Sequence, residues 1–313
     1  MIFAIGDIHG MLDPLKVLSD YIYQVAVKSE PNIKLVFTGD YIDCGPSSKQ
    51  VLDLILQLKQ DFDTTTLLGN HEEMLLCYYH KKHDFLRIGN YWLNFNGGLQ
   101  TIQSFYPQSL LFRQKEYPDN EMVSNLLKYE DIIKLEDKYI TFFNELKVSY
   151  QISLPQTNKP MDLLFSHSVP SLRHPLESQL EINSWQDLRN YMEEANCELD
   201  ETIIWNRQLL SAPVKENMIV IHGHTPTRYY RQVTKILKFW EDEENAPFVG
   251  RDKKNKHLTQ IDIDTGLIYG GALTMLAIDD SADAQNVFPY YISVDIKKGL
   301  RSKRYSKKDL DLS

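Results

Sequence analysis

Five short polar clusters, each closing an apolar run, constrain this chain more than any other feature. They are Gly6-Asp7-Ile8-His9-Gly10, Gly39-Asp40-Tyr41-Ile42-Asp43, Gly69-Asn70-His71-Glu72, Ser166-His167 and His222-Gly223-His224-Thr225. The runs before them, Ile2 to Ile5, Ile33 to Thr38, Thr64 to Leu68, Met161 to Phe165 and Met218 to Ile221, read as short buried strands. Asp, His and Asn are the side chains that bind divalent metals through hard oxygen and imidazole nitrogen. Glycine ahead of the acid lets the backbone turn sharply and come close to a ligand. Five such clusters in chain order, each at a strand end, form a metal-binding signature.

Between the strands lie helical patterns. Asp13-Pro14 resembles an N-cap followed by proline at the first helical position, with Leu15, Leu18, Ile22 and Val25 on one face. Ser47 is placed to cap a second helix whose apolar stripe is Val51, Leu54, Ile55 and Leu58. This alternation predicts an α/β fold with parallel βαβ units, whose sites form beyond the carboxyl ends of the strands. Residues 74–160 are rich in Tyr, Asn, Lys and Glu and carry no ligand cluster. They read as a mainly helical insertion, with helices near Glu121 to Leu127 and Asp131 to Leu146. A polar stretch runs from Arg228 to Lys256. Runs at Leu258 to Ile263, Ala272 to Ile278 and Tyr290 to Ile296 then read as an antiparallel meander closing a second sheet. With no repeat or linker, residues 1–313 are expected to form a single domain.

Composition narrows the class. Hydrophobic residues make up 42% and charged residues 25% of 313, ordinary for a soluble globular protein that needs no disulfide staples. Cys44, Cys77 and Cys197 form no CxxC pair, which speaks against a disulfide framework or structural zinc and fits a reducing compartment. Ile2 to Ile5 leads straight into the first cluster, so no cleavable signal is expected, and no apolar run approaches the roughly 20 residues of a membrane span. A cytoplasmic protein is expected. The net charge of −9 argues against general nucleic-acid binding. The basic segment 297–313 reads as a solvated tail, and Glu241-Asp242-Glu243-Glu244 as an exposed loop.

Two divalent ions about 3.5–4 Å apart need a bridging carboxylate, terminal carboxylate, amide and imidazole ligands, and open positions for solvent and substrate. Asp7 and His9 alternate at a strand end, so one turn can aim both at one ion. Asp40 is the natural bridge, Asn70 a neutral amide ligand, and His167 with one of His222 and His224 completes the set.

The motifs Gly-Asp-Ile-His-Gly, Gly-Asp-Tyr-Ile-Asp-x-Gly, Gly-Asn-His-Glu and Gly-His-Thr resemble those of the calcineurin-like metallophosphoesterases, in particular the phosphoprotein phosphatase branch with its bacterial and phage members. The resemblance spans residues 6 to 225. It extends to Ile263-Asp264-Thr265-Gly266 with Tyr269-Gly270-Gly271, and leaves the insertion uncovered. It implies an αββα sandwich of two mixed sheets flanked by helices. It also implies one ion on Asp7, His9 and Asp40, and a second on Asp40, Asn70, His167 and His224. His224 is preferred to His222 because the family ligand is the histidine of Gly-His-Thr. Manganese is the expected metal, with iron or zinc as alternatives. His71, paired with Asp43, is the implied proton donor to the leaving oxygen after in-line attack by hydroxide.

Two arginines usual in that branch are replaced here by Cys44 and Leu68. A thiol cannot reproduce a planar bidentate donor. Arg207, in Ile204-Trp205-Asn206-Arg207, resembles a phosphate-binding Trp-x-Arg element of bacterial members. Cysteine-dependent phosphatases place an arginine six positions beyond the nucleophile, and here that residue is Gln50, so Cys44 is not read as a nucleophile. On Tyr41, which the protein phosphatases carry, a phosphoprotein phosphatase is the leading expectation, for serine/threonine first and tyrosine second. Its partner is then a phosphoprotein or small phosphoester. A symmetrical dinucleoside tetraphosphatase or nucleotide phosphohydrolase is the alternative, and a non-catalytic scaffold the second.

Overall fold

The computed structural model describes residues 1–29, 32–80, 91–107, 134–154, 161–233, 246–252, 254, 257–280, 290–295 and 299–304. Strands β1 (Ile2–Ile5), β2 (Lys34–Phe37) and β3 (Asp63–Thr66) pair in parallel, joined by helices α1 (Leu12–Ser29) and α2 (Ser48–Asp61). On the other side of β1 the first sheet continues through antiparallel β9 (Ala272–Ile278), β10 (Tyr290–Asp295) and β11 (Gly299–Arg304). The second sheet has the order β4 (Ser149–Leu154), β5 (Met161–Ser166), β6 (Met218–His222), β8 (Leu258–Asp262) and β7 (Phe248–Arg251).

Period-two alternation decides how the sheets stack. On β1, Ile2 and Ala4 join Val36, Phe165, Ile221 and Leu276 in a core shared by both sheets, whereas Phe3 and Ile5 face α1 and α2. On β6, Ile219 and Ile221 enter the shared core while Met218 and Val220 face a smaller outer cluster under Leu176 and Leu180. A one-residue slip of β1 would exchange its two buried faces. Each large apolar side chain buried there contributes roughly 1.5–3 kcal/mol. Two mixed sheets flanked by helices result, as the αββα reading requires.

Several expectations need correction. The last three apolar runs do not close one sheet: β8 joins the second sheet beside β6, and β9 and β10 extend the first beside β1. The insertion is not all helix. Beyond helices at Gly98–Phe105 and Asp137–Asn144, it ends in edge strand β4, whose Ser-Tyr-Gln-Ile-Ser-Leu alternation suits antiparallel pairing with β5. The expected helix from 131 to 146 is thus shorter, and 121–127 lies outside the described residues, as does 241–244. The polar stretch before 256 contains β7, and the basic tail contributes β11. α1 begins at Leu12, placing Asp13-Pro14 inside its first turn, and Ser47 occupies the N-cap of α2 without a side-chain cap bond. No helix among the described residues is long and apolar enough to cross a membrane.

Candidate metal centre

The clusters lie at neighbouring carboxyl ends of β1, β2, β3, β5 and β6, and backbone bonds lock their loops together. The Asp40 carbonyl accepts from the Ile8 and His9 amides at 3.0 and 2.9 Å, and the Tyr41 carbonyl from Gly10 at 2.8 Å. Glu72, in helix α3 (Asn70–His80), does the same for the next pair of loops. Its carboxylate accepts from the amides of Asp40 (2.9 Å), Tyr41 (2.8 Å), Ile42 (3.3 Å) and Gly69 (3.1 Å). Burial and the Asp40 charge push the Glu72 carboxyl up to about 7, and its bond from Tyr41 opposes that. Glycine is needed where backbone meets carboxylate: a Cβ on Gly69 would fall 2.2 Å from Asp40 Oδ1, and one on Gly223 2.0 Å from Asp7 Oδ1. Among the described residues seven non-glycines have positive φ, and five belong to this site: His9 (46°), Asp40 (53°), Asp43 (73°), Cys44 (62°) and His224 (74°).

Within this frame the structure brings five of the six proposed ligands together. His9 Nε2 lies 3.5 Å and His167 Nε2 3.3 Å from the two Asp40 oxygens. Asn70 Oδ1 is 2.9 Å from His167 Nε2 and 3.0 Å from His224 Nδ1. Asp7 is placed differently: its Oδ2 accepts from the His224 amide at 2.9 Å, and its charge is felt at Asp40. Donor atoms of His9, Asp40 and His71 form one group within 4.8 Å, and those of Asp40, His167 and His224 another. Asp40 is common to both, the position of a bridge.

Each ligand imidazole has its other nitrogen tied to a backbone carbonyl. His9 Nδ1 donates to Ile42 O (3.2 Å), His167 Nδ1 to Thr38 O (2.8 Å) and His224 Nε2 to Trp205 O (3.1 Å). In a neutral imidazole those donors leave the inward nitrogen as a lone pair. Burial keeps His9 neutral, down to about 4 despite Asp40, and holds His224 well below its ordinary value. In that tautomer the inward nitrogens of His167 and His224 both face the acceptor oxygen of Asn70, a contact that repels unless a cation lies among them. Asp7 Oδ1 is buried with no hydrogen-bond partner, and burial with Asp264 and Asp40 nearby pushes its carboxyl up. A pair of divalent cations fits this donor set.

His71 stands beside the centre. Its Nδ1 is 2.7 Å from Asp43 Oδ2, and its Nε2 lies 3.9 Å from Asp40 Oδ2. Asp43 also accepts from Trp92 Nε1 (2.7 Å) and Thr101 Oγ1 (2.6 Å). Neither residue was identifiable from sequence, since both come from the insertion and carry no local signal. Burial disfavours the imidazolium, but Asp40 and Asp43 outweigh it and raise His71 to about 9. Burial raises Asp43, opposed by its bonds from His71, Thr101 and Trp92. Three donors on one carboxylate favour its ionised form.

Arg207 is exposed at the rim, donating from Nη1 to His224 O and Thr225 Oγ1, both at 3.2 Å. His222 is buried, with Nδ1 3.0 Å from its neighbour's carbonyl, Gly223 O, and belongs to neither ligand group. Cys44 donates to Asn96 O at 3.8 Å, and burial with Asp43 and Asp40 pushes its thiol to about 12, so it is not a thiolate at neutral pH. Elsewhere Cys197, His174 and Glu201 also approach one another. There Glu201 is already engaged by Arg173 and the Glu198 amide.

The chain belongs to the calcineurin-like phosphoesterases, whose family profile matches residues 1–259. Over 92 residues it is 39% identical to the symmetrical bis(5'-nucleosyl)-tetraphosphatase of Azotobacter vinelandii, covering 28% of this chain and 31% of that enzyme. That match thus spans under a third of the relative's length. Over 307 residues it is 34% identical to the enzyme of the same name from Pseudomonas putida F1, covering 88% of this chain and 89% of that one. A cold-active protein tyrosine phosphatase of known structure shares the fold, with TM-score 0.51 and 17% identity over 96% of this chain and 78% of that one.

Proposed function

We propose that this protein is a metal-dependent hydrolase of dinucleoside polyphosphates, cleaving a phosphoanhydride bond in the manner of the symmetrical tetraphosphatases. The observation that carries the choice is the near full-length identity to the Pseudomonas putida enzyme of that name. The protein-phosphatase reading is the weaker one here. Tyr41, on which that preference rested, is fully buried; its hydroxyl donates to Leu67 O at 2.7 Å and its ring packs edge-on against Phe142. A residue in that position serves packing and touches no substrate.

Asp7, His9 and Asp40 would hold one ion, and Asp40, Asn70, His167 and His224 the other. Bound there, divalent ions lower the pKa of solvent and neutralise charge on a phosphoryl group. The carbonyls of Ile42, Thr38 and Trp205 keep the three imidazoles in the ligating tautomer. Arg207 spends one nitrogen on the His224 carbonyl and the Thr225 hydroxyl and offers the rest of its fork to a phosphoryl oxygen. His71 keeps its Nδ1 proton on Asp43 and presents Nε2 to the departing oxygen.

The manganese-loaded protein, assayed on diadenosine tetraphosphate and a phosphopeptide panel with product chromatography, tests the assignment. The expected result is ADP as the sole nucleotide product, lost on chelation, with the tetraphosphate preferred in kcat/KM. Preference for any phosphopeptide overturns it.

A further inference from the structure

Tyr269 is an aromatic side chain held outward on a sharp turn. It ends a single turn of 3-10 helix, Leu267–Tyr269, bounded by two left-handed glycines, Gly266 (φ 72°) and Gly270 (φ 80°). The Tyr269 amide donates to Gly266 O at 2.9 Å and the Gly271 amide to the same oxygen at 2.9 Å, which closes the turn tightly. Leu267 is buried and anchors it, while Tyr269 remains 54% exposed. The guanidinium carbon of Arg228 sits 4.4 Å from the centre of the Tyr269 ring, and its Nη1 donates to Tyr269 O at 3.4 Å. A cation over a tyrosine face fixes the ring's orientation.

This rigid ring borders the metal centre. The Thr227 amide donates to Asp264 O at 2.8 Å, tying the helix that carries Arg228 to the strand end before the turn. Arg207 binds the His224–Thr225 segment just ahead of that helix. A Cβ on Gly266 would lie 3.8 Å from Arg228 Cδ, 3.8 Å from Pro226 Cβ and 3.9 Å from Tyr269 Cδ2, so the ring, Arg228 and the segment that follows His224 and Thr225 gather around one turn. The chain's net charge is −9, so two arginines beside a site for phosphate are a local exception. A rigid exposed aromatic next to cations is the arrangement that receives a stacked base joined to phosphates.

From this geometry we propose that Tyr269, held by Arg228 beside Arg207 and the metal loops, is a stacking platform for the base of a nucleotide substrate. The proposal deepens the dinucleotide reading above and rests on it. Arg228 is a positioning residue for the ring.

Competition against p-nitrophenyl phosphate turnover by the manganese-loaded protein tests it, with ADP and inorganic diphosphate as competitors. The ratio of their inhibition constants is taken within each variant, so any change common to both cancels. In the wild type ADP is expected to inhibit about tenfold better than diphosphate, the order of one base–aromatic contact. Tyr269→Ala is expected to abolish that ratio and Tyr269→Trp to keep it. A ratio near one in the wild type, or one undiminished in Tyr269→Ala, overturns the proposal. A base-dependent ratio lost in Tyr269→Ala, in a protein that does not cleave diadenosine tetraphosphate, supports the platform and sinks the proposed reaction instead.

Discussion

His71 Nδ1 lies 2.7 Å from Asp43 Oδ2, and the indole of Trp92 reaches the same oxygen at 2.7 Å. The carboxylate thus aims the imidazole while the insertion aims the carboxylate. The proposed proton donor, built in this way, depends on residues some distance away in sequence as much as on its own motif.

The worth of that donor depends on the leaving group. A phosphate leaving group with a second pKa of about 6 departs with little help, whereas an alkoxide needs the proton. His71→Asn should therefore lower turnover of an alkyl phosphomonoester by about 10²–10⁴, the usual range for general acid catalysis. It should cost diadenosine tetraphosphate less, with metal content retained. Steady-state rates on both substrates, with metal analysis, check this; equal loss on both removes the leaving-group argument.

Without metal the His71 imidazole should titrate near 9, raised above the ordinary 6.5. Because the folded value is raised, its ion pair stabilises the protein fully below 6.5, and that contribution fades as the pH rises through 9. Imidazole resonances of the chelated protein provide the measurement. A midpoint at or below 6.5 would mean that the Asp43 pairing does not govern the group.

Thr101 donates to Asp43 Oδ1 at 2.6 Å, accepts from the Asp43 amide at 2.9 Å and lies 3.0 Å from Ser48 Oγ. Thr101→Val preserves shape but strips a buried carboxylate of a donor, so a loss of about 1–3 kcal/mol is expected in urea unfolding. An unchanged midpoint would show that the bond is dispensable.

Glu72→Gln replaces an acceptor oxygen with an amide nitrogen among four N–H donors. Both loops it joins carry proposed ligands, Asp40 and Asn70, so manganese affinity should fall roughly 10–100-fold, the usual cost of disturbing a ligand's support. Calorimetric titration reads this directly, and wild-type affinity in the variant would sink the idea.

Asp7 carries a buried oxygen without a partner, and burial, Asp264 and Asp40 all disfavour its charge. Asp7→Asn should therefore raise the melting temperature of the chelated protein while reducing manganese bound per chain. A variant less stable than wild type under chelation would contradict the electrostatic account.

The parallel strands β1, β2 and β3 were legible because each is followed by a glycine-led polar cluster after an apolar run. The assignment of β8 to one sheet and β9 to the other was not. All three C-terminal runs read as strands, and nothing local assigns them to one sheet or the other. The insertion hid Trp92 and Thr101 because their role exists only in three dimensions: an ordinary tryptophan and threonine become part of the site when Gly97 allows backbone to close on Cys44, where a Cβ would lie 2.3 Å from its amide nitrogen. Tyr41 misled for the opposite reason. It lies within a cluster of functional residues yet faces the core, and a strand-end motif does not reveal which way each side chain turns.

The left-handed backbone at His9, Asp40, Asp43, Cys44 and His224 bears on how this chain can change over generations. Each such residue costs of order 1–2 kcal/mol relative to an ordinary conformation. A population selected only for heat resistance would be drawn to glycine or asparagine at these five positions, and at four of them that gain would remove a proposed metal ligand or a member of the proposed proton relay. Position 44 alone carries no proposed ligand or relay member. Sequence drift should therefore concentrate there, while the other four stay fixed only as long as the chemistry is needed.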